Sequence, residues 1–422
     1  MTPSLPAAAA RLLSHLGLAR RRRGRSAPHP DLDSLAKRII LPFMPVTDEE
    51  MARAAYQDRG QKLARQEMWE ELAEQLREAD QTRTATPGGE SGAMLMAFGA
   101  RSDVIAVGED ALHDGKAPLC DGIEALEAVG LEHPGDYAIA LIVALAHIDL
   151  AWAWHHAPEE AAQAAEEAPA AHFDRHLLRA EALLSPYCGL TENAPSLAAA
   201  QCALLAARPC TSPPAARRAI ADAYEDLIDL DPSSPRHMRA LGQAIVPARG
   251  GTLPALELEA RRTAARTGDI WGAGAYPWVY LDAVALDPGA LALLDVPFFL
   301  DGLRDILRFS PDQHTANQLA AFCAITMRPR TGAPRTEAAA RDALSGALVW
   351  ILQEHLHELH PLIWTQAVRS PGAGTPLPSR RALITEGRQT ALRAIAALFA
   401  DDIADGSAIA FSPAGMYRLP AL

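Results

Sequence analysis

The sequence predicts an all-α protein, an irregular α-solenoid built from antiparallel helix pairs. The leading observation is one helix ending that recurs four times. It is read at Leu178-Arg-Ala-Glu-Ala-Leu-Leu-Ser-Pro186, Tyr224-Glu-Asp-Leu-Ile-Asp-Leu-Asp-Pro232, Tyr280-Leu-Asp-Ala-Val-Ala-Leu-Asp-Pro288 and Leu303-Arg-Asp-Ile-Leu-Arg-Phe-Ser-Pro311. Each sets apolar residues eight, four and two positions ahead of a proline, with Asp or Ser directly before it. The residue before proline is pushed out of the α region, so a helix stops there. The second observation is composition: alanine is abundant while aromatics make up 5% of the chain. Alanine is the strongest helix former, whereas strands draw on β-branched and aromatic residues, so helices packed closely together are favoured over sheet. With 49% hydrophobic residues over 422 positions, the core has ample material.

Four regions follow in order. Residues 1–46 form a basic N-terminal tail, 47–130 an N-terminal helical region, 131–330 a degenerate repeat array, and 331–422 C-terminal helices with an extended cap. The first thirty residues hold six arginines and no acid, so the remainder carries 33 basic against 52 acidic side chains. Leu12, Leu13, Leu16 and Leu18 precede the run Arg20 to Arg23, the reverse of a secretory signal, and export is not expected. The tail is read as solvated, with contact to an anionic membrane surface as the functional alternative. An acidic remainder sets aside nucleic acid as the main partner.

Thr47-Asp-Glu-Glu opens a charged amphipathic stretch over 48–80, with acids in the first turn of the helix. Thr84 to Gly92 reads as a linker, and Val104 to Val107 as a short strand. The apolar run Tyr137 to Trp154 is nearly long enough to span a bilayer, but His147 and Asp149 sit in its middle, and a helix buried on most sides is expected. A helix is expected from about 336 to 360, a loop over 370–379, a last helix over 380–400, and an extended cap from Ser407 onward. The five cysteines, Cys120, Cys188, Cys202, Cys210 and Cys323, are odd in number and lack a C-x-x-C pair, which points to a reducing cytoplasm and no zinc site.

After Pro232 comes Met238-Arg-Ala-Leu241-Gly242-Gln-Ala-Ile245. Its spacing resembles the tetratricopeptide signature W-x2-L-G-x2-Y, with Met238 for the Trp, Ile245 for the Tyr and Tyr224 for the aromatic of the preceding helix. The array departs from that family where Ile220 takes the place of a small residue, and where the prolines stand 46, 56 and 23 residues apart. Met68-Trp-Glu-Glu-Leu72 and Arg249-Gly-Gly-Thr252 also resemble uncharacterised bacterial helical-repeat proteins. The resemblance implies a tetratricopeptide-like α-solenoid that binds a protein or peptide.

The residues suggest two kinds of site. Between Pro247 and Tyr280 the chain offers Arg249, Arg262, Trp271, Tyr276 and Trp278 around glycines and a proline. Trp, Tyr and Arg combine large apolar area with directional donors, so these five are the expected partner-binding residues; the competing reading is packing between repeats. His172-Phe-Asp-Arg-His176 places two imidazoles at metal-sharing spacing, and Glu354 and His357 match a Glu-x-x-His element. Phe173 stands where a zincin helix has Glu, and no second Glu-x-x-His occurs, so structural histidines are expected and no metal or other cofactor. Gly272-Ala-Gly274-Ala lacks the third glycine of a dinucleotide fingerprint. The functional expectation is a non-enzymatic, cytoplasmic interaction scaffold with no catalytic residues. The alternative is a metal-dependent enzyme in a helical bundle using those His and Glu side chains.

Overall fold

The computed structural model describes residues 31–165, 167–207, 213–369 and 378–420. Residues 1–30 of the basic tail, Cys210 and positions 370–377 of the expected loop lie outside them. The protein is 72% helix and 4% strand, which places it in the all-α class.

In chain order, α1 (Leu32–Ala36) and the short strand β1 (Ile39–Ile40) precede α2 (Asp48–Arg65), α3 (Trp69–Gln81), α4 (Gly92–His113), α5 (Asp121–Glu132) and α6 (Tyr137–His155). Next come α7 (Glu159–Ala164), α8 (Pro169–Leu184), α9 (Pro195–Ala207), α10 (Pro213–Leu230) and α11 (Pro235–Ile245). They are followed by α12 (Leu253–Arg266), α13 (Gly268–Trp271), α14 (Ala275–Leu286), α15 (Val296–Phe309) and α16 (Gln313–Ala321). The chain closes with α17 (Arg335–Gly346), α18 (Leu348–Glu354), α19 (Pro361–Val368), α20 (Arg380–Leu398), α21 (Ala400–Ala404), β2 (Ala408–Ser412) and β3 (Gly415–Leu419).

All four recurring endings terminate helices. α8, α10, α14 and α15 each stop two residues before the proline, at Leu184, Leu230, Leu286 and Phe309. Asp287 and Ser310 have left the α region, at φ −136° and −123°, as the steric preference of a residue before proline favours, whereas Ser185 before Pro186 stays in it at φ −58° and ψ −30°. In three endings the residues eight and four before the proline are buried: Tyr224 and Ile228, Tyr280 and Val284, Leu303 and Leu307. The fourth helix is turned about its axis, so that Leu178 is 57% exposed and Leu177, Ala180 and Leu184 face inward instead. The signature positions Met238, Leu241 and Ile245 are all buried.

The chain divides into two compact units, residues 48–244 and residues 1–47 with 245–422. The expected divisions at 130/131 and 330/331 fall inside these units.

In the unit 48–244, α6 is the central element. It is the one helix among the described residues long and apolar enough to cross a membrane, and 83% of its apolar window is buried inside the protein. It runs antiparallel to α8: His147 meets His176 near one end and Trp154 meets His172 near the other. By contrast α2 and α4 lie side by side in the same direction, with Arg53 on Glu90 at their starts and Arg65 on Asp103 farther along. Glycines permit that approach. A Cβ on Gly99 would overlap the carbonyl oxygen of Gln57, and one on Gly60 would overlap that of Met96. Gly99→Ala is therefore expected to destabilise the protein by about 1–3 kcal/mol, because backbone and not a side-chain tip must move; urea unfolding of the purified variant measures it.

Two expectations for this unit are corrected. Val104 to Val107 is helical within α4, where Ile105 is buried and Val107 is 64% exposed. Three β-branched residues do not outweigh the helix formers on either side. Thr84 to Gly92 is an ordered turn and not a free linker: Ala85 and Ser91 form an antiparallel bridge, and buried Glu49 accepts from Thr86 Oγ1 at 2.9 Å and Gly88 N at 2.6 Å.

In the other unit, α1 pairs with α20 through Asp33 and Arg393. β1, β2 and β3 form a three-stranded sheet in that order, parallel then antiparallel, so the expected extended cap is a hairpin laid beside the N-terminal strand. The helix expected over 336–360 is broken. α18 ends at Glu354 because Gln313 captures the backbone beyond it, donating to His355 O at 2.8 Å and accepting from His357 N and Glu358 N at 3.0 and 3.1 Å.

Candidate functional site

The stretch from Val246 to Tyr280 is built by turns and close helix crossings. Arg249 ends a single 3-10 turn, Gly250 follows in the left-handed region at φ +83°, and Thr252 caps α12 by accepting from Ala255 N. Arg249-Gly-Gly-Thr252 is thus a tight helix connector. Gly272, at φ +56°, has no room for a Cβ beside the Asp305 carboxylate, which accepts from Ala273 N at 2.8 Å. Gly251, Gly272 and Gly274 each lie where a Cβ would overlap a neighbour, so they permit close packing.

Trp271, Tyr276 and Trp278 are buried in the interior, with Tyr276 fully covered, so the expectation that they face a partner is corrected for these three. Arg249 and Arg262 are exposed, and Arg262 pairs with Glu259 at 3.1 Å. The aromatics are interior because α14 is apolar on nearly every face, and because a carboxylate missed in the sequence satisfies their hydroxyls. Glu257 accepts from Tyr276 Oη at 2.6 Å and Tyr280 Oη at 2.7 Å. Arg261 donates to Glu257 at 2.6 Å and to Asp295 at 2.8 Å while lying over the rings of Tyr276 and Phe298. Burial and the nearby Glu257 push both tyrosines above their ordinary range, and Arg261 holds Asp295 below its own. The network joins α12, α14 and the start of α15. Its one signal in the sequence was the Glu257/Arg261 spacing of four on a helix.

The histidines form a second centre, in the unit 48–244. His147 Nε2 lies 3.0 Å from Glu127 Oε1, and His147 Nδ1 lies 2.9 Å from His176 Nδ1. Glu127 also accepts from Arg179 Nε at 2.6 Å. Since the carboxylate can only accept, His147 carries its proton on Nε2; its Nδ1 is then the acceptor, and His176 must carry the proton on Nδ1. Burial lowers the basicity of His147 despite Glu127, and burial with the facing His147 pushes His176 down to about 4. Against its own burial, Arg179 and His147 hold Glu127 below the usual carboxylate range. His172, one turn before His176, stacks flat on Trp154 with ring centres 4.0 Å apart, and its Nε2 is buried without a hydrogen-bond partner. Asp149, two residues beyond His147, pairs with Arg101 at 2.7 Å. His172 and His176 therefore share a helix face that packs against α6. Glu354 and His357 do not share one, since α18 ends between them. Among the described residues, no group of three or more His, Cys, Asp or Glu side chains is arranged to hold a metal ion.

A third feature was not foreseen. α8, α9 and α10 enclose an open groove of about 430 Å³. Its floor includes Leu184, Leu204 and Leu227, all buried, and its rim includes Leu190, Cys188 and Asp226. Asp222 and Asp226 are exposed one turn apart on α10, and neither has a hydrogen-bond or ion-pair partner among the described residues. The Cys188 thiol is lowered by bonds from Thr191 and Leu190, whereas burial pushes Cys202 up to about 12. Sequence reading missed the groove because its walls come from three helices whose individual stripes look like ordinary core.

No protein-family model, no curated protein and no solved structure matches this chain.

Proposed function

We propose that this is a non-enzymatic, cytoplasmic binding protein that holds an amphipathic, basic segment of a partner protein in the groove between α8, α9 and α10. The observation that carries this is the groove itself: an open apolar trough beside two carboxylates that have no hydrogen-bond or ion-pair partner among the described residues. Apolar contacts in such a trough supply affinity, and Lys or Arg of the incoming segment meets Asp222 and Asp226. The free thiols of Cys120, Cys188, Cys202 and Cys323 support a reducing compartment. The buried signature positions around α10 and α11 support descent from a tetratricopeptide-like α-solenoid. In this reading the partner site lies on residues outside the stretch Arg249 to Trp278.

The test is fluorescence anisotropy with a labelled 18-residue helical peptide of leucines and lysines, beside a leucine and glutamate peptide of the same pattern. Binding of the lysine peptide alone is expected, weakened at least tenfold by Asp222→Arg/Asp226→Arg and by Leu190→Glu; the last residue is 47% exposed, so its change leaves the core intact. Equal binding of both peptides, or no effect of these variants, rejects the reading.

A further inference from the structure

We propose that the cavity walled by α1, α19, α20 and the turn at Arg328 binds a small monocarboxylate with an apolar body, its anionic end on the Arg328 guanidinium. The site lies within the unit of residues 1–47 and 245–422, and it is independent of the groove and of the function proposed above.

The cavity measures about 410 Å³, a size common among small-molecule sites, and is open to solvent. Leu32, Pro329, Val368 and Ala394 give it apolar walls, while Arg328, Arg393 and Thr390 bring polar groups to the same space.

Charge decides what such a space can take. Arg393 is matched, donating to Asp33 from Nε at 2.6 Å and from Nη2 at 3.1 Å. The other acids on the walling helices are engaged as well. Asp31, which caps α1, accepts from Ser34 Oγ at 2.7 Å, and Glu386, one turn before Thr390, accepts from Arg369 at 2.9 and 3.1 Å. The Arg328 guanidinium, by contrast, has no hydrogen-bond or ion-pair partner among the described residues. The protein around it lowers its proton affinity by desolvation, and no acid opposes that effect. A cation held partly out of water without a counter-ion costs free energy, and an anionic ligand offsets that cost.

The base of this side chain is fixed in advance. Buried Arg341 donates to Thr326 O at 2.7 Å and to Arg328 O at 3.2 Å, and Glu337 accepts from Arg341 at 2.8 Å. Pro329 then sets the next φ. A preformed backbone reduces the ordering that binding must supply. The planar fork of a guanidinium matches a carboxylate in bidentate fashion. Two more donors line the cavity: the Thr390 hydroxyl, and Nη1 of Arg393, which Asp33 leaves free. One unmatched positive charge suits a monoanion. A compact phosphate would leave the apolar walls uncovered and set surplus negative charge in the space that Arg393 shares with Asp33.

The probe is octanoate, titrated calorimetrically into the full chain beside octanol, octylamine and inorganic phosphate. Saturable binding of one equivalent of octanoate is expected, with the other three binding at least tenfold more weakly. Arg328→Gln should weaken octanoate at least tenfold without lowering the thermal midpoint of the unligated protein, because the side chain has no internal partner to lose. Val368→Asp should do the same by repulsion, and since Val368 is 42% exposed the core is left intact. Arg330→Gln removes an exposed arginine two positions away and should leave the affinity within about twofold. Circular dichroism establishes that each variant is folded; should Val368→Asp unfold, Arg328→Gln against Arg330→Gln decides. Octanoate that fails to saturate, octanol, octylamine or phosphate that binds as tightly, unchanged affinity in Arg328→Gln, or equal losses in Arg328→Gln and Arg330→Gln overturn the proposal.

Discussion

Glu257→Ala is expected to destabilise the protein by about 2–5 kcal/mol, because two hydroxyls on fully covered side chains lose their acceptor and each buried donor left unsatisfied costs about 1–3 kcal/mol. Three groups lose their acceptor at once: the hydroxyls of Tyr276 and Tyr280 and the guanidinium of Arg261. Both tyrosines are fully covered, so water cannot replace the carboxylate without opening the contact between α12 and α14. Arg261 keeps Asp295 and contributes less to the loss, since it is about half exposed. Glu257→Gln retains an acceptor oxygen for the hydroxyls and should cost only about 1–2 kcal/mol. Urea unfolding followed by circular dichroism separates the two variants. A loss below 1 kcal/mol in Glu257→Ala would show that the hydroxyls find other acceptors.

The second large effect is a loss of stability in mild acid. His176 takes up a proton at about 4 in the folded protein against an ordinary value of 6.5, because it is buried and faces His147. Between those values the unfolded chain binds a proton that the folded one refuses, so stability rises with pH across this window and falls on acidification. The slope is about 1.4 kcal/mol per pH unit, roughly 3 kcal/mol in all. His147, also lowered by burial, adds to it in the same direction. Glu127 is held low and stays ionised here; its stabilisation is lost only below the usual carboxylate range. Asp80, raised by burial, runs the other way above its ordinary value, so the informative quantity is the difference between wild type and His176→Asn. Urea midpoints from pH 7 to pH 4 should fall more steeply in wild type than in the variant, and parallel curves would refute the assignment.

How much of the candidate sites was legible follows from the range of the interactions involved. The pair His172 and His176 could be read because spacing along one helix is a local property. Its partners Glu127 and His147 could not, because they come from two other helices and nothing in their own segments marks the meeting. The aromatic cluster was misread for a related reason. Trp271, Tyr276 and Trp278 have the composition of a recognition surface, yet exposure depends on whether a neighbour covers them, and α12 and α15 do. The groove left no trace at all, since a cavity is a failure of three helices to close and not a property of any one of them.

The sequence by itself determined the helical class, four helix ends placed two residues before their prolines, and the buried phase of three of those helices. These are consequences of backbone sterics and helical periodicity, which act over a few residues. Tertiary structure decided the rest. It stopped α18 at Glu354, where the side chain of Gln313 outcompetes the next helical turn for the backbone. It ordered Thr84 to Gly92 around the Glu49 carboxylate and turned three expected contact residues into core. In each case a partner distant in the chain satisfies a polar group or covers an apolar one, and the free energy of that contact exceeds the fraction of a kcal/mol by which local propensities differ.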